Sequence, residues 1–496
     1  MPKRKILLII LIIFNLLLFG SYFYKIDSVP FVRLDDGNLM EISETFATTG
    51  QLGSQMSETG HNESRFYHVH PPFYYLVNGI VFKIFGSGIL QSRLIPLCSA
   101  IIVIFLTFLL FIYLSRLKLT IMNTLVLSAL FLSTPIFFIL ARSNRPEMFA
   151  LALILSALLA YNYFEKQRKI IWLIISGLFC GLAMITQAYS LFIFLYIVLS
   201  IFINKQQLWQ QIISFTVACS IPVVAYLFWI IQDFQSFYYQ MFVLRQASTT
   251  LIIPNIIIRY IHFFSSFETW NITGFLLALG LIIFISKKNK LQIGLNPQLL
   301  LIICFLATFL IIPVLNKYYM VILLPPIFLY FLERLKKKPN VWLLILLVAY
   351  LGINSIGLAV YWQKYHNFDY PTYAEKIKQH LPTPGNFGVL GSPSLYPGLN
   401  DYEFYAYINP SIIHHQQTYS NFKERLKELK IKYIIQQEYE GKDYGNLDYF
   451  NRFLKQDCQI IAEVNDPFYG SEGVKKDNLI KIYSVRPTGS PLTKTR

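Results

Sequence analysis

The sequence predicts a polytopic α-helical membrane protein with about eleven transmembrane helices, a large first outer loop and a C-terminal α/β soluble domain. Three observations carry this. Of 496 residues, 55% are hydrophobic and only 14% charged, whereas soluble domains carry about a quarter charged residues. The apolar residues fall in runs near the ~20 residues that cross a bilayer as a helix. After residue 363 the composition changes to Pro- and Gly-punctuated segments with short β-rich runs.

The first run, Lys5 to Tyr24, follows Lys3-Arg4-Lys5. It is long and lacks a small-x-small cleavage site, so it reads as a retained span rather than a leader. Hydropathy places the others at 94–115, 119–140, 147–164, 170–187, 189–203, 211–231, 271–286, 298–315, 318–333 and 341–362. The tightest junction is Thr186-Gln187-Ala188-Tyr189, which must turn on the outside. With the N-terminus in the cytoplasm, inside loops collect Lys and Arg. They hold Arg116 with Lys118, Lys166 with Arg168 and Lys169, Lys205, then Lys287, Lys288 and Lys290, and Arg334 with Lys336 to Lys338. The short outside turns keep Arg142, Arg145 and Lys317, so the positive-inside rule supports this orientation and an outer C-terminal domain.

The net charge of +16 does not indicate nucleic acid, because the basic residues sit in hinges between spans rather than on one soluble face. Five scattered cysteines give no disulfide framework and no metal spacing. Cys98, Cys180, Cys219 and Cys304 lie in apolar runs and are expected to be buried packing residues.

Chemistry-bearing residues concentrate outside. The chain divides into a transmembrane region, 1–363, whose outer loop 28–93 holds acids and histidines, and an outer domain, 364–496. Within the loop, Asp36–Thr49 and Pro72–Phe85 read as amphipathic helices in the membrane interface, where Tyr74 and Tyr75 are favoured. Asn62-Glu63-Ser64 is a formal glycosylation sequon. A further outer loop near 232–270 adds Arg245, Arg259 and His262. In the tail, strands are expected at 387–390, 433–436, 460–464 and 480–485, with a charged helix near 421–430. It reads as a docking or binding lid.

Asp35 and Asp36 follow the first span. A carboxylate there serves as general base to a hydroxyl, as a cation ligand, or as a solvated cap of the following helix. Glu147 stands at a helix N-terminus, which favours negative charge. In the functional reading it is a second acid facing the same cavity, with Arg142 or Arg145 gripping a phosphate. His68 and His70, beside Arg65, offer a ligand, a base or a phosphate contact against a structural role before Pro71-Pro72. Lys317 is either a snorkelling anchor or a contact to an anionic head group.

These residues, in order, resemble family 39 glycosyltransferases of the GT-C group, which includes protein O-mannosyltransferases and aminoarabinose transferases acting on lipid A. The resemblance rests on Asp35-Asp36, then His70-Pro71-Pro72-Phe73-Tyr74-Tyr75, Gly86 and Arg93. It continues through Arg145-Pro146-Glu147-Met148 and through Lys317-Tyr318-Tyr319 to Leu324-Pro325-Pro326, so it covers most of 1–335 but not the tail. It implies transfer of a sugar from a polyprenyl-phosphate donor to a lipid, glycan or protein acceptor on the non-cytoplasmic side. The Lys-, Ile- and Asn-rich usage and the retained first span point to a bacterial inner membrane, with an archaeal source as the alternative. It assigns Asp35 as base, with Asp36 standing where the family has Glu, and Glu147 as the second acid. Arg65, His70, Arg142, Arg145 and Lys317 would hold the donor phosphate. A divalent metal on Asp35, Asp36, Glu147 or His70 stays open, since relatives differ. The competing readings are a transporter or lipid flippase, which predicts inverted repeats and midplane charges, and a non-catalytic scaffold.

Overall fold

The computed structural model describes residues 2–30, 32, 34–54, 56, 64–115, 120–204, 208–243, 270–286, 297–311, 317–337, 341–406, 419–437, 448–465 and 479–486. Helix α1 (Pro2–Ser21) leads into the outer loop, which forms α2 (Leu34–Thr49) and α3 (Phe73–Phe85). Then come α4 (Ile89–Ser115), α5 (Ile121–Ser133), α6 (Pro135–Ala141), α7 (Glu147–Gln167), α8 (Ile170–Met184), α9 (Leu191–Asn204), α10 (Leu208–Gln232) and α11 (Phe234–Tyr238). Four more follow: α12 (Trp270–Ser286), α13 (Pro297–Ile311), α14 (Leu324–Lys337) and α15 (Val341–Tyr365). Within the described residues, each predicted span falls largely on helix. Among the described residues five helices are individually long and apolar enough to cross a bilayer, and a bent pair makes a sixth.

That pair corrects the continuous span expected at 119–140. The axis turns by 75° between α5 and α6. Pro135 has no N–H and its ring forbids the helix from continuing through it. Thr134 secures the break: its hydroxyl donates to the Leu130 carbonyl (2.6 Å) and shares a hydrogen bond with the Tyr350 hydroxyl (2.8 Å). Similarly, the span expected at 318–333 begins as a 3-10 segment, Lys317–Leu323, and becomes α14 where Pro325 and Pro326 fit the first helical turn.

The main core runs through α4 to α9 and α12 to α15, with α7 at its centre. Apolar side chains on the outer faces, such as Ile213, Val217 and Phe228 of α10, are exposed, as expected of helices solvated by lipid. The cysteine expectation needs one correction. Cys180, Cys219 and Cys304 are buried, but Cys98 is exposed on α4, where lipid rather than protein meets an apolar side chain's needs. Helices α8 and α10 approach closely because Gly177 and Gly181 carry no side chain. A Cβ on Gly181 would lie 2.3 Å from the Cys219 carbonyl oxygen.

Outside the bundle, five strands form one sheet in the order β2-β1-β3-β5-β4. They are β1 (Gly388–Gly391), β2 (Glu403–Ala406), β3 (Ile431–Gln437), β4 (Cys458–Asn465) and β5 (Leu479–Val485). β1 pairs in parallel with β2 and β3, while β5 pairs antiparallel with β3 and β4. Four strands match expectation; the four-residue β2 is too short to stand out. The charged tail helix spans Tyr419–Glu428.

The sheet does not hang free. Val29, Val32, Met40 and Met56 of the first loop share one apolar core with Tyr370, Val389, Ile480 and Ile482 of the tail. Gly37 of α2 abuts the tail backbone so closely that a Cβ would fall 1.7 Å from the Pro393 carbonyl oxygen. Glu44 of α2 accepts hydrogen bonds from Ser87 (2.6 Å), Tyr396 (2.8 Å) and Asn400 (3.1 Å). The sequon asparagine Asn62, the cations Arg245, Arg259 and His262 expected outside, and Arg116, Lys118, Lys205, Lys287, Lys288, Lys290 and Lys338 expected inside lie outside the described residues.

The two glycine environments predict opposite outcomes. Gly181→Ala should lower the melting midpoint of the detergent-solubilised protein, by the equivalent of about 1–3 kcal/mol of overpacking. Gly274→Ala, in α12 with open space around the site, should be neutral or raise it by up to ~1 kcal/mol through helix propensity.

Candidate active site

The site begins with how the chain leaves α1. Two buried arginines collect its carbonyl groups. Arg93 of α4 donates to Ile26 (2.5 Å) and Pro30 (2.7 Å). Arg142, just after α6, donates to the carbonyls of Ser21 and Tyr24 (the latter 2.6 Å), with its guanidinium over the rings of Phe138 and Trp362. Positive charge suits the carbonyl end of a helix, and these contacts fix where α2 starts. Asp35 and Asp36 then occupy the first turn of α2, where the helix dipole favours carboxylates.

The turn between α6 and α7 brings Arg145 and Glu147 to the same place. Arg145 donates from Nη1 to Asp35. It reaches Glu147 from Nη2 (2.8 Å) and from Nε (3.2 Å to each oxygen). The Tyr318 ring lies 4.4 Å from the guanidinium carbon. One cation is thus shared by two carboxylates of very different exposure: the side chain of Asp35 is 59% exposed, that of Glu147 1%. Burial alone would lower the Arg145 pKa, but Glu147 and Asp35 outweigh it and hold the group well above its usual range.

Asn144 locks the turn to both loop helices. Its Nδ2 donates to the Asp36 carbonyl (3.1 Å), while its Oδ1 accepts from the Tyr74 hydroxyl (2.6 Å) and from Asn78 (3.2 Å). Burial, then the charges of Asp36 and Glu147, push the Tyr74 hydroxyl well above its usual pKa, so it remains a donor. Tyr74 and Tyr75 are therefore buried residues of the site, not interfacial aromatics. An interior partner for the hydroxyl is what allows Tyr74 inside.

Of the residues singled out in the sequence, the structure unites Asp35, Arg145 and Glu147. Asp36 is buried behind them. Arg142 donates instead from Nη1 and Nη2 to main-chain carbonyls. His70 is partly buried with its ring 6.4 Å from that of Tyr67. Lys317 starts the 3-10 segment, and its side chain lies outside the described residues. Asn144, Asn78 and Tyr318 were missed and Tyr74 was given another role; Tyr74 and Tyr318 lie within motifs singled out for the family resemblance, Asn78 within the helix expected at 72–85, and Asn144 beside Arg145. The donor set does not fit a resident divalent cation: Arg145 already sits between the two carboxylates, and among the described residues no three His, Cys, Asp or Glu are grouped as ligands.

Arg65 is exposed on the wall of a cavity of about 730 Å³. The other walls are largely apolar: Phe46 of α2 and Leu52 just after it, Leu76 of α3, Ile185 after α8, and Tyr226 and Trp229 of α10. Behind Phe66 and Trp229 lies His68, buried, with its ring 4.3 Å from Trp229 and edge-on to Phe237 at 5.6 Å. Neither ring nitrogen has a hydrogen-bond partner among the described residues. Burial lowers its pKa to about 4 against the opposing pull of Asp233.

Residues 69–231 match the family model of dolichyl-phosphate-mannose-protein mannosyltransferases. No curated protein matches the chain significantly in sequence. Among solved structures, ArnT from Cupriavidus metallidurans bound to undecaprenyl phosphate superposes with a TM-score of 0.58 at 12% identity, covering 96% of this chain and 97% of that one. The same protein in its apo state gives 0.51 at 12% identity, covering 97% and 98%. The Archaeoglobus fulgidus oligosaccharyltransferase tethered to an acceptor peptide gives 0.51 at 14% identity, covering 90% of this chain and 71% of that one. At these identities the likeness is one of fold.

Arg145→Met strands Glu147 and should cost about 3–5 kcal/mol in detergent unfolding, with most of it recovered in Arg145→Met/Glu147→Gln. Asp35→Asn should stay within about 1 kcal/mol of wild type. For His68, the unfolded imidazole takes up its proton near 6.5 and the folded one only near 4. Between those values the unfolded state holds more protons, so stability is lost as pH falls from about 6.5 towards 4. Unfolding of His68→Phe measured across that range should lack this component of the slope.

Proposed function

We propose that this chain, whose fold is that of the GT-C glycosyltransferases, transfers a sugar from a polyprenyl-phosphate donor to an acceptor hydroxyl of a lipid, glycan or protein. The reaction takes place at the outer face of the plasma membrane, with the N-terminus in the cytoplasm. The observation that carries this reading is the exposed Asp35 carboxylate, held by Arg145 and backed by buried Glu147, at the outer side of an apolar helical bundle. The ArnT structure of the same fold was solved with undecaprenyl phosphate, a ligand of the class proposed for this chain.

The chemistry suits these groups. The leaving group is a phosphate, which needs its charge neutralised more than it needs a proton. Arg145 supplies positive charge beside the reacting centre, and Arg65 and His70 serve the donor phosphate as it enters. The apolar cavity beside Arg65 suits the isoprenoid chain. The acceptor hydroxyl needs a base, and Asp35 is the carboxylate with access. Glu147, too buried to meet an acceptor, fixes the guanidinium. The tail, packed on α2, acts as a docking lid over the loop.

Membranes expressing the protein should move labelled sugar from a polyprenyl-phosphate donor onto envelope acceptors. Asp35→Asn, at equal expression, should lower transfer by about 10²–10⁴-fold. Full activity in that variant would remove Asp35 as base. Arg65→Ala should raise the donor KM with kcat little changed.

A further inference from the structure

The two carboxylates hold Arg145 unequally. Nε and Nη2 face Glu147, and Tyr318 covers the guanidinium plane. Nη1 reaches the opposite way, to the exposed carboxylate of Asp35. Removing one partner from a buried, multiply bonded pair strands a charge and is strongly disfavoured. An exposed pair is worth about a fivefold factor or less. Any anion arriving at Arg145 therefore displaces Asp35 and leaves Glu147 in place.

We propose that the Asp35–Arg145 contact is a latch opened by phosphate: the donor's phosphate replaces Asp35 on Nη1, while Glu147 and Tyr318 keep the guanidinium fixed. The inference rests on the sugar-transfer reading for its consequence, though not for its test. Until donor arrives, the carboxylate is capped by a cation. Once displaced, it is released towards the acceptor. In the transfer step the bond between the anomeric carbon and the phosphate oxygen breaks, and its electron pair leaves with the phosphate, against Arg145. The acceptor oxygen bonds to the anomeric carbon, and its proton passes to Asp35. One guanidinium thus couples donor arrival to exposure of the base.

The latch makes an inverted prediction: the variant that loses transfer should bind phosphate better. Binding of a polyprenyl phosphate in detergent micelles is measured for wild type and Asp35→Asn, with inorganic phosphate as the lipid-free arm. The latch predicts a Kd about two- to fivefold lower in Asp35→Asn. Tightening in both arms assigns the effect to the phosphate itself; tightening for the lipid alone means that the headgroup must be delivered by its chain. The comparison is repeated in an Arg145→Gln/Glu147→Gln background, where no buried charge is left unpaired. There the gain from Asp35→Asn should vanish. Unchanged or weaker binding in Asp35→Asn overturns the latch. So does an equal gain in both backgrounds, which is only the removal of a nearby negative charge. Transfer activity, read separately, tests Asp35 as base, so either idea can fail alone.

Discussion

The sharing of Arg145 between Asp35 and Glu147 organises the candidate site. Asp35 belongs to the first loop and Glu147 to the start of α7, and nothing in the covalent chain brings them near one another. A guanidinium is the side chain suited to this, because its rigid fork of donors satisfies two carboxylates from different directions and keeps its charge when buried. Around it the rest follows: Tyr318 covers its plane, Asn144 ties the turn to α2 and α3, and Tyr74 is admitted to the interior because Asn144 accepts its hydrogen bond. Arg93 and Arg142 have the complementary role in a deeper layer, neutralising carbonyls that would otherwise face an apolar interior.

Much of this was legible in the sequence. Hydropathy located each membrane helix, because a bilayer's thickness imposes a length that composition cannot disguise. The loop acids stood out for the same reason, as charge in a chain that otherwise avoids it. What hydropathy averages over was lost: Pro135 bends its span by 75° without changing the mean of the window around it. Arg142 and Arg145 lie in one short turn, and both looked equally suited to a phosphate. The turn geometry sends one to main-chain carbonyls and the other to the acids, a choice made by φ and ψ rather than by residue type. Tyr74 and Tyr75 were misplaced because an amphipathic helix with aromatics fits the membrane interface and a protein interior equally well; for Tyr74, Asn144, distant in sequence, decides between them.

The proposed latch and the shared core give the outer portion two kinds of order. Near Arg145 the contacts are few, charged and unequal, which suits exchange. Beneath the sheet they are apolar and close, with Gly37 pressed against the Pro393 carbonyl, which suits permanence.

That permanence has a consequence for biogenesis. Val29, Val32 and Met40 are made near the beginning of the chain, while Ile480 and Ile482, which cover them, are made at its end. At about 5–20 residues per second, the first loop waits on the order of tens of seconds for its cover. During that interval the core holds only its earlier members, such as Phe82, Tyr365 and Tyr370, and lacks the last strand. The partners of the acids, Asn144 and Arg145, are made well before the tail, whereas the apolar core beside α2 is completed only by the last strand, so a product truncated before that strand has the acids and their partners without the finished core.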